Sequence, residues 1–491
     1  MQGAAALVGG SAVSGLLPRV LSASTRAVSA ASADPAASAH VEWFVTTQAS
    51  SWQRRELGTT SGAVPDVIVQ TDAPQQVIDG FGACFNELGW TALSVLAPSD
   101  REAVLRELFA PGAGAGFTLC RMPIGANDFS RDWYSYDETD GDFALEHFSI
   151  ANDLDTLVPF IHAALRQQPA LRLWASPWSP PTWMKKNRHY AMSMPSPWQK
   201  GVENGLRPEQ VGREGTDLFV QEERYLRAYA GYFGRFVDEY RKQGIAIEMV
   251  MPQNEFNSAQ VFPSCCWTRE GLARFIAHLG PEMARRGVAV FFGTLERANE
   301  TLADASLQDP AVARYLKGVG LQWAGKGAIA GLHRRYPQLS LYQSEQECGD
   351  GRNDWRYCRY AWTLMKHYLR GGANAYLYWN VALAKGGVSR WGWAQNSLVT
   401  VDTVARSYVF THEYSLMKHL CACVRPGARR LETVSWTGYE NQLAFANPDG
   451  SVVVVIQNDL SEPLPVRIRV ADKTVAPTLP ADSFNTLVLR G

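Results

Sequence analysis

The chain carries no excess of either charge: 47 Lys and Arg stand against 48 Asp and Glu, a net charge of -1. That balance argues against nucleic acid or an anionic membrane surface as the partner. Outside the extreme N-terminus, no uncharged apolar run reaches the ~18–20 residues that a membrane-spanning helix needs. The eight cysteines form no C-x-x-C pair and have no histidine cluster beside them, so no zinc site is expected. H-E-x-x-H, G-x-S-x-G and Walker patterns are all missing. One glycine-rich run, Pro111 to Gly116, leads into a strand pattern rather than a helix, which makes it a poor phosphate loop. Cys84 and Cys120 fall inside apolar runs and read as small buried hydrophobes. Cys348 and Cys358 flank a loop, where an oxidising compartment would allow them to pair.

What is present is bulk and aromatic surface. The chain has 491 residues, 46% of them hydrophobic, enough for one large domain and a smaller one. Sixteen tryptophans are available both for core and for the flat walls that cover the C–H faces of sugars. The first 40 residues differ from the rest. Ala4 to Pro18 are apolar or small, Arg19 is the first charge, and Ala31-Ser32-Ala33 before Asp34 resembles a cleavage site. This is the h-region and c-region of an export signal, without the basic n-region. The run Q-G-A-A-A-L-V-G-G-S is similar to the segment after the arginine pair of twin-arginine signals. The expectation is an exported protein, periplasmic or secreted, whose signal starts upstream.

Eight apolar runs come next in order, at 77–85, 117–124, 171–176, 245–250, 288–292, 319–323, 339–343 and 373–379. Helical patterns separate most of them, at 101–109, 153–166, 223–242 and 268–286. Alternation of strand and helix predicts a parallel sheet, and eight repeats predict an α/β fold closed as a (β/α)8 TIM barrel. After Val424 short strands with turn signals take over, including Asn447-Pro448-Asp449-Gly450 before a V-V-V-V-I run. These read as a side β-sandwich, joined by the N-terminal strands because ~30 residues cannot hold a sheet alone. The expected parts are a signal-like segment at 1–40, N-terminal strands at 41–72, the barrel at 73–410 and the sandwich at 411–491.

Chemistry in such barrels sits at the C-terminal strand ends. Two glutamates close apolar runs there, Glu255 on strand four and Glu345 on strand seven. Two facing carboxylates are what retaining β-glycoside hydrolysis requires: one exchanges a proton, the other attacks the sugar carbon. Asn254, beside Glu255, suits the sugar's 2-hydroxyl. Glu347 competes with Glu345 but lies where the chain turns at Cys348-Gly349, so it reads as pocket rim. Arg121, inside an apolar strand, must be paired. Its partner is either Glu345 or a structural one, Asp79 or Glu87. Asp79 counts among the strand-end residues, and Asp128 is placed to accept from sugar hydroxyls. The prolines of 174–185 hold Trp178 rigidly, Trp183 reads as core, Trp379 ends the eighth run, and Trp393 follows it as a further wall. About 35 polar residues between Trp183 and Phe219 form a loop long enough to overhang the site.

At these residues the chain resembles glycoside hydrolase family 30, the glucosylceramidase-like enzymes. The stretches that carry this are I-D-G-F-G-A (78–83), R-M-P-I-G-A-N-D-F (121–129), A-S-P-W-S-P-P-T-W-M-K (175–185), P-Q-N-E (252–255), S-E-Q-E-C (344–348) and Y-W-N-V-A-L (378–383). The resemblance implies a barrel with a side sandwich and retaining hydrolysis without a cofactor. It implies Glu255 as acid/base, Glu345 as nucleophile, Arg121 near the nucleophile, and Asp128, Trp178, Asn254 and Trp379 around the −1 sugar. Two departures concern the substrate. Glucosylceramidase has His-Trp-Tyr after strand six, and its tyrosine approaches the nucleophile; here the run is Gln322-Trp323-Ala324, without that hydroxyl. An asparagine of the glucosylceramidase pocket falls near Trp393. The expected substrate is a carbohydrate, a β-D-glucoside in the first instance. Alternatives in the family are β-xylosides, β-fucosides and β-galactosides, or endo action on a β-1,6-glucan or galactan. A non-catalytic carbohydrate-binding protein is the reading from another class. A blind pocket would favour exo action and a long groove endo action.

Overall fold

The computed structural model describes residues 41–490 apart from 58, 61–63, 198 and 200. The signal-like segment at 1–40 lies outside the described residues. Eight parallel strands close a barrel: Gly80–Cys84, Leu119–Pro123, Arg172–Ser176, Met249–Val250, Ala289–Leu295, Leu316–Gln322, Ser340–Glu345 and Ala375–Ala384. Closure comes from the eighth strand, which pairs with the seventh at Tyr342↔Ala375 and with the first at Ala375↔Gly80.

Period-two alternation decides which side chains enter the barrel. Leu119, Trp174, Met249, Phe291, Tyr342 and Leu377 fill its floor and middle. Cys120 and Met122 point the other way, into the larger core under the helices. Arg121 shares the inward side with Leu119 and sits one layer higher, fully buried. Both Cys84 and Cys120 are buried in strands, as expected for small hydrophobes. The outer helices are amphipathic; Glu223–Lys242 buries Leu226, Tyr229, Phe233, Phe236 and Tyr240. Side-chain caps start two others, Thr268 on the Gly271 N–H and Asp354 on the Tyr357 N–H.

The N-terminal strands do join the C-terminal ones. Val41–Thr47 pairs antiparallel with Ser483–Leu489, and Val67–Val77 with Arg429–Ser435. The strand Val452–Asn458 explains its own unbroken apolar run. Val454 and Ile456 enter the sandwich core, while Val453 and Val455 pack on the opposite face with the barrel's core. A strand buried on both faces has no polar side to show in its sequence.

Two expectations need correction, and one open pairing is answered. The fourth run, read from Ile245, pairs only at Met249–Val250, because the register meets Trp174 at Met249. Asp79 precedes the first strand and lies at the opposite end of the barrel from Glu345, where it accepts from Tyr342 Oη at 2.9 Å. Cys348 and Cys358 are both free thiols in separate contacts, with Gln395 Oε1 and the His412 carbonyl respectively.

Candidate active site

The seventh strand ends on Glu345, whereas the fourth stops at Val250 and the chain turns through Pro252 to Glu255. Glu255 has φ 47° and Trp323 has φ 47°, a left-handed backbone that bulky residues seldom adopt. Thr294 Oγ1 on strand five holds the first turn by accepting the Glu255 N–H at 2.8 Å. Strain kept in place at the rim of a cavity is a common mark of function. The cavity above these strand ends measures about 380 Å³. Asp128, Trp178, Asn254, Glu255, Glu345 and Trp393 all line it. Arg121 and Trp379 lie against its lining: Trp379 stacks on Trp178 with centroids 5.3 Å apart, and the Arg121 guanidinium is 4.4 Å from the Trp178 ring centre.

Arg121 resolves its own pairing. Nη1 donates to Glu345 Oε2 at 2.8 Å and Nη2 to Asn254 Oδ1 at 2.6 Å. Neither Asp79 nor Glu87 is the partner; Glu87 binds Arg131 instead. Trp174 and Trp379 also face the guanidinium, at 4.9 and 5.3 Å. Three aromatic faces and several hydrogen bonds are what a fully buried cation needs.

Gln322 is the pivot of the site. Its Nε2 lies 3.3 Å from Glu255 Oε1 and 3.2 Å from Glu345 Oε2. Both contacts leave one nitrogen, so those two oxygens are less than 6.5 Å apart, the sum of the two lengths. Trp323 Nε1 donates to Glu345 Oε1 at 2.9 Å. An indole N–H therefore approaches this carboxylate, a partner that the missing tyrosine hydroxyl does not foreshadow. The only hint in the chain is the indole next to Gln322 at the end of strand six.

These partners divide the two acids. Glu345 receives donors at 2.8, 2.9 and 3.2 Å. Glu255 receives Gln322 and Gln260 at 3.3 and 3.4 Å. Burial, then the negative charge of Glu345, push Glu255 up to about 7. Burial raises Glu345 as well, but Arg121, Trp323 and Gln322 oppose it by favouring the ionised form. The donors around Glu345 thus favour its ionised form, while Glu255, with weaker partners and the negative charge of Glu345 beside it, favours its protonated form below about 7. Asp128 is raised well above the ordinary range by burial and by Glu345, and its Oδ1 has no hydrogen-bond partner. Glu347 pairs with Lys326 at 2.6 Å and Tyr360 at 2.8 Å on the rim. Among the described residues, no three His, Cys, Asp or Glu side chains gather as a metal site.

The long 184–219 loop does not line the cavity. It grips the segment after strand four instead. The Met192 and Ser193 N–H groups donate to the Gln260 carbonyl, and the Gly215 N–H to Asn257 Oδ1 at 2.7 Å. Glu214 from the same loop binds Arg297 at 2.9 Å. Other polar groups of the loop bond within it, as Asn187 does to the Ala191 and Gln210 carbonyls, or to the segment after strand eight, where Gln199 Nε2 donates to the Trp391 carbonyl at 3.1 Å. Sequence reasoning missed Glu296, Arg297, Ser258 and Gln260, which share the cavity wall with Glu255.

Comparison with known proteins identifies the family of both domains. Residues 78–408 match the family model "Glycosyl hydrolase family 30 TIM-barrel domain", and residues 427–487 match the "Glycosyl hydrolase family 30 beta sandwich domain". Lysosomal acid glucosylceramidase of Mus musculus is 29% identical over 453 residues, covering 86% of this chain and 83% of that one. An endo-1,6-beta-D-glucanase of Neurospora crassa is 26% identical over 417 residues, 80% and 81% of the two chains. Among solved structures, SrfJ from Salmonella typhimurium superposes with a TM-score of 0.81 at 24% identity, covering 92% of this chain and 100% of that one. The last likeness speaks to fold alone.

Proposed function

The chain belongs to glycosyl hydrolase family 30 and is a glycoside hydrolase, and from that premise we propose that it cleaves β-D-glucosides with retention. The observation that carries retention is the single Gln322 nitrogen shared by Glu255 and Glu345. Oxygens at most 6.5 Å apart fall at or below the short end of the ~6.5–9.5 Å of inverting enzymes, which favours the ~5–5.5 Å arrangement of retaining ones.

In the proposed cycle an oxygen of ionised Glu345 attacks the anomeric carbon, and the glycosidic C–O bond breaks. Glu255 gives its proton to the departing oxygen. Water then attacks the glycosyl ester, loses a proton to Glu255, and frees Glu345. Asn254 is suited to the 2-hydroxyl: its Oδ1 is taken by Arg121 and Thr294, which leaves Nδ2 as the donor. Unpartnered Asp128 suits a second hydroxyl, and stacked Trp178 and Trp379 support the ring.

Endo action on a β-1,6-glucan is the second reading, favoured by the likeness to the Neurospora enzyme. Aryl β-glycosides of gluco, xylo, fuco and galacto type, assayed beside Glu345→Ala, test the proposal. Cleavage of the glucoside with release of the β-anomer supports it. Release of the α-anomer, or a variant as active as wild type, refutes it. Cleavage of polymer alone selects the endo reading. Export belongs to the proposal through the signal-like residues 4–33, and no helix among the described residues is long and apolar enough to cross a membrane.

A further inference from the structure

One acid in the cavity has no part in the proposed cycle. Glu296 follows strand five, is 1% exposed and lines the cavity, yet no side chain hydrogen-bonds its carboxylate oxygens, and the backbone N–H groups of Glu296 and Asn257 approach them without reaching full hydrogen-bond geometry. Its nearest cation, Arg297, is 3.8 Å away and is already bound to Glu214 at 2.9 Å. A buried carboxyl short of hydrogen bonds costs free energy unless a ligand supplies them.

Its neighbours say which part of a ligand that is. Gln260 Nε2 is 3.4 Å from Glu255 Oε2 and donates to Ser258 Oγ at 2.9 Å. Arg297 Nη2 donates to the Asn257 carbonyl at 3.2 Å and reaches Ser258 Oγ at 3.5 Å. Glu255 thus has polar groups on both sides. Toward Glu345 lie Asp128, Trp178 and Asn254, where the reacting sugar belongs. The other oxygen of Glu255, Oε2, meets Gln260, which shares the cavity wall with Ser258, Glu296 and Arg297. An acid that protonates a glycosidic oxygen has the reacting sugar on one side and the leaving group on the other.

Building on the proposed function, we propose that Glu296, with Ser258, Gln260 and Arg297, forms a subsite for a saccharide leaving group, binding its hydroxyls. A hydroxyl can both give and take a hydrogen bond, so it satisfies Glu296 whether the carboxyl is ionised or protonated. An alkyl chain there would leave the carboxyl buried and unpaired, which disfavours a lipid aglycone. Burial and the charge of Glu255 push Glu296 up to about 8, so near neutrality it offers a donor as well as acceptors.

The test compares two leaving groups on one glycosyl unit. kcat/KM is measured for 4-nitrophenyl β-D-glucoside and for β-linked glucose disaccharides, in wild type, Glu296→Gln, Glu296→Ala and Ser258→Ala, with the melting point of each protein. The disaccharide-to-aryl ratio is expected to fall at least about tenfold in Glu296→Ala, from the loss of hydrogen bonds to a buried polar group, and less in Ser258→Ala. An unchanged ratio in both the Glu296 and the Ser258 variants overturns the subsite, even if absolute rates fall, since a merely structural role lowers both substrates together. Wild type that cleaves the aryl glucoside but no disaccharide also overturns it. Wild type that cleaves no β-glucoside removes the proposed function, and this inference with it.

Discussion

Asp153 and Asp128 are both buried aspartates, and the fold treats them in opposite ways. Asp153 accepts hydroxyl hydrogen bonds from Tyr134 at 2.9 Å, from Tyr136 at 2.6 Å and from Tyr240. Glu87, on the same outer side of the barrel, takes Arg131, Asn152 and Thr156 at 2.9–3.1 Å. Asp128 Oδ1 and both oxygens of Glu296 have no side-chain partner. A carboxylate that holds helices together is saturated by the protein, because an unmet buried acceptor costs stability. One that faces a cavity is left open, because its partner arrives later. Glu345 stands between the two classes, held by Arg121, Gln322 and Trp323 yet open to the cavity.

Substitutions can break that contrast. The largest effect is expected at Glu345: Glu345→Ala should lower kcat by about 10⁴-fold or more, since the covalent step is lost. A fall below about tenfold would remove Glu345 from the chemistry. Next come the two aspartates, which should separate cleanly. Asp128→Asn should lower kcat/KM about 10²-fold while the melting point holds or rises, because an amide of the same shape replaces a carboxyl whose charged form burial and Glu345 already disfavour. Asp153→Ala should do the reverse. Three tyrosine hydroxyls lose their acceptor, costing about 3 kcal/mol, with kcat/KM of the folded enzyme little changed. Calorimetry beside steady-state rates decides both, and equal losses of stability in the two variants would dissolve the distinction.

The pH profile gives a third, smaller effect. Glu255 must be protonated to act as acid, and its pKa is raised to about 7. kcat/KM should therefore fall about tenfold per pH unit above that value, and fall again on the acidic side, where burial favours protonation of the Glu345 nucleophile. Glu255→Gln should lose the alkaline limb, and an alkaline limb surviving the substitution belongs to another group. Smallest is a shift in thermal stability at Glu296, whose folded pKa of about 8 lies above its ordinary 4.5. Between those values the unfolded chain has lost the proton that the folded chain keeps, so stability falls as pH rises. Glu296→Gln removes that dependence. Its melting point should gain on wild type between pH 5 and pH 8, by a few degrees at most, and a constant difference would contradict the raised pKa.

Much of the frame is legible in the sequence because period and length speak locally. Eight apolar runs alternating with helical ones can close in few ways, and Glu255 and Glu345 announce themselves as acids at the ends of apolar strands. The errors have a common origin. Asp79 is easily misplaced because its run looks continuous from Val77, while pairing starts at Gly80. Trp323 reaches Glu345 only because its own backbone turns left-handed, which a Gln-Trp-Ala run does not reveal. Glu296 reads as an ordinary loop acid before Arg297, and only the packing of the 254–264 segment buries it beside the cavity. The length of the 184–219 loop marks it as too long to be idle, but its attachment to Gln260 and Arg297 depends on contacts far away in sequence.

The shared Gln322 nitrogen also bears on what happens over time. In the proposed cycle negative charge leaves Glu345 when the glycosyl ester forms, appears on Glu255, and returns when water is consumed. A donor aimed at only one acid would have to swing across at each half-reaction. Gln322 Nε2 already lies within 3.3 Å of an oxygen on each acid, so the charge can change owner while the donor stays still. The environment then needs little rearrangement in either direction, and the two halves of the turnover run over the same motionless amide.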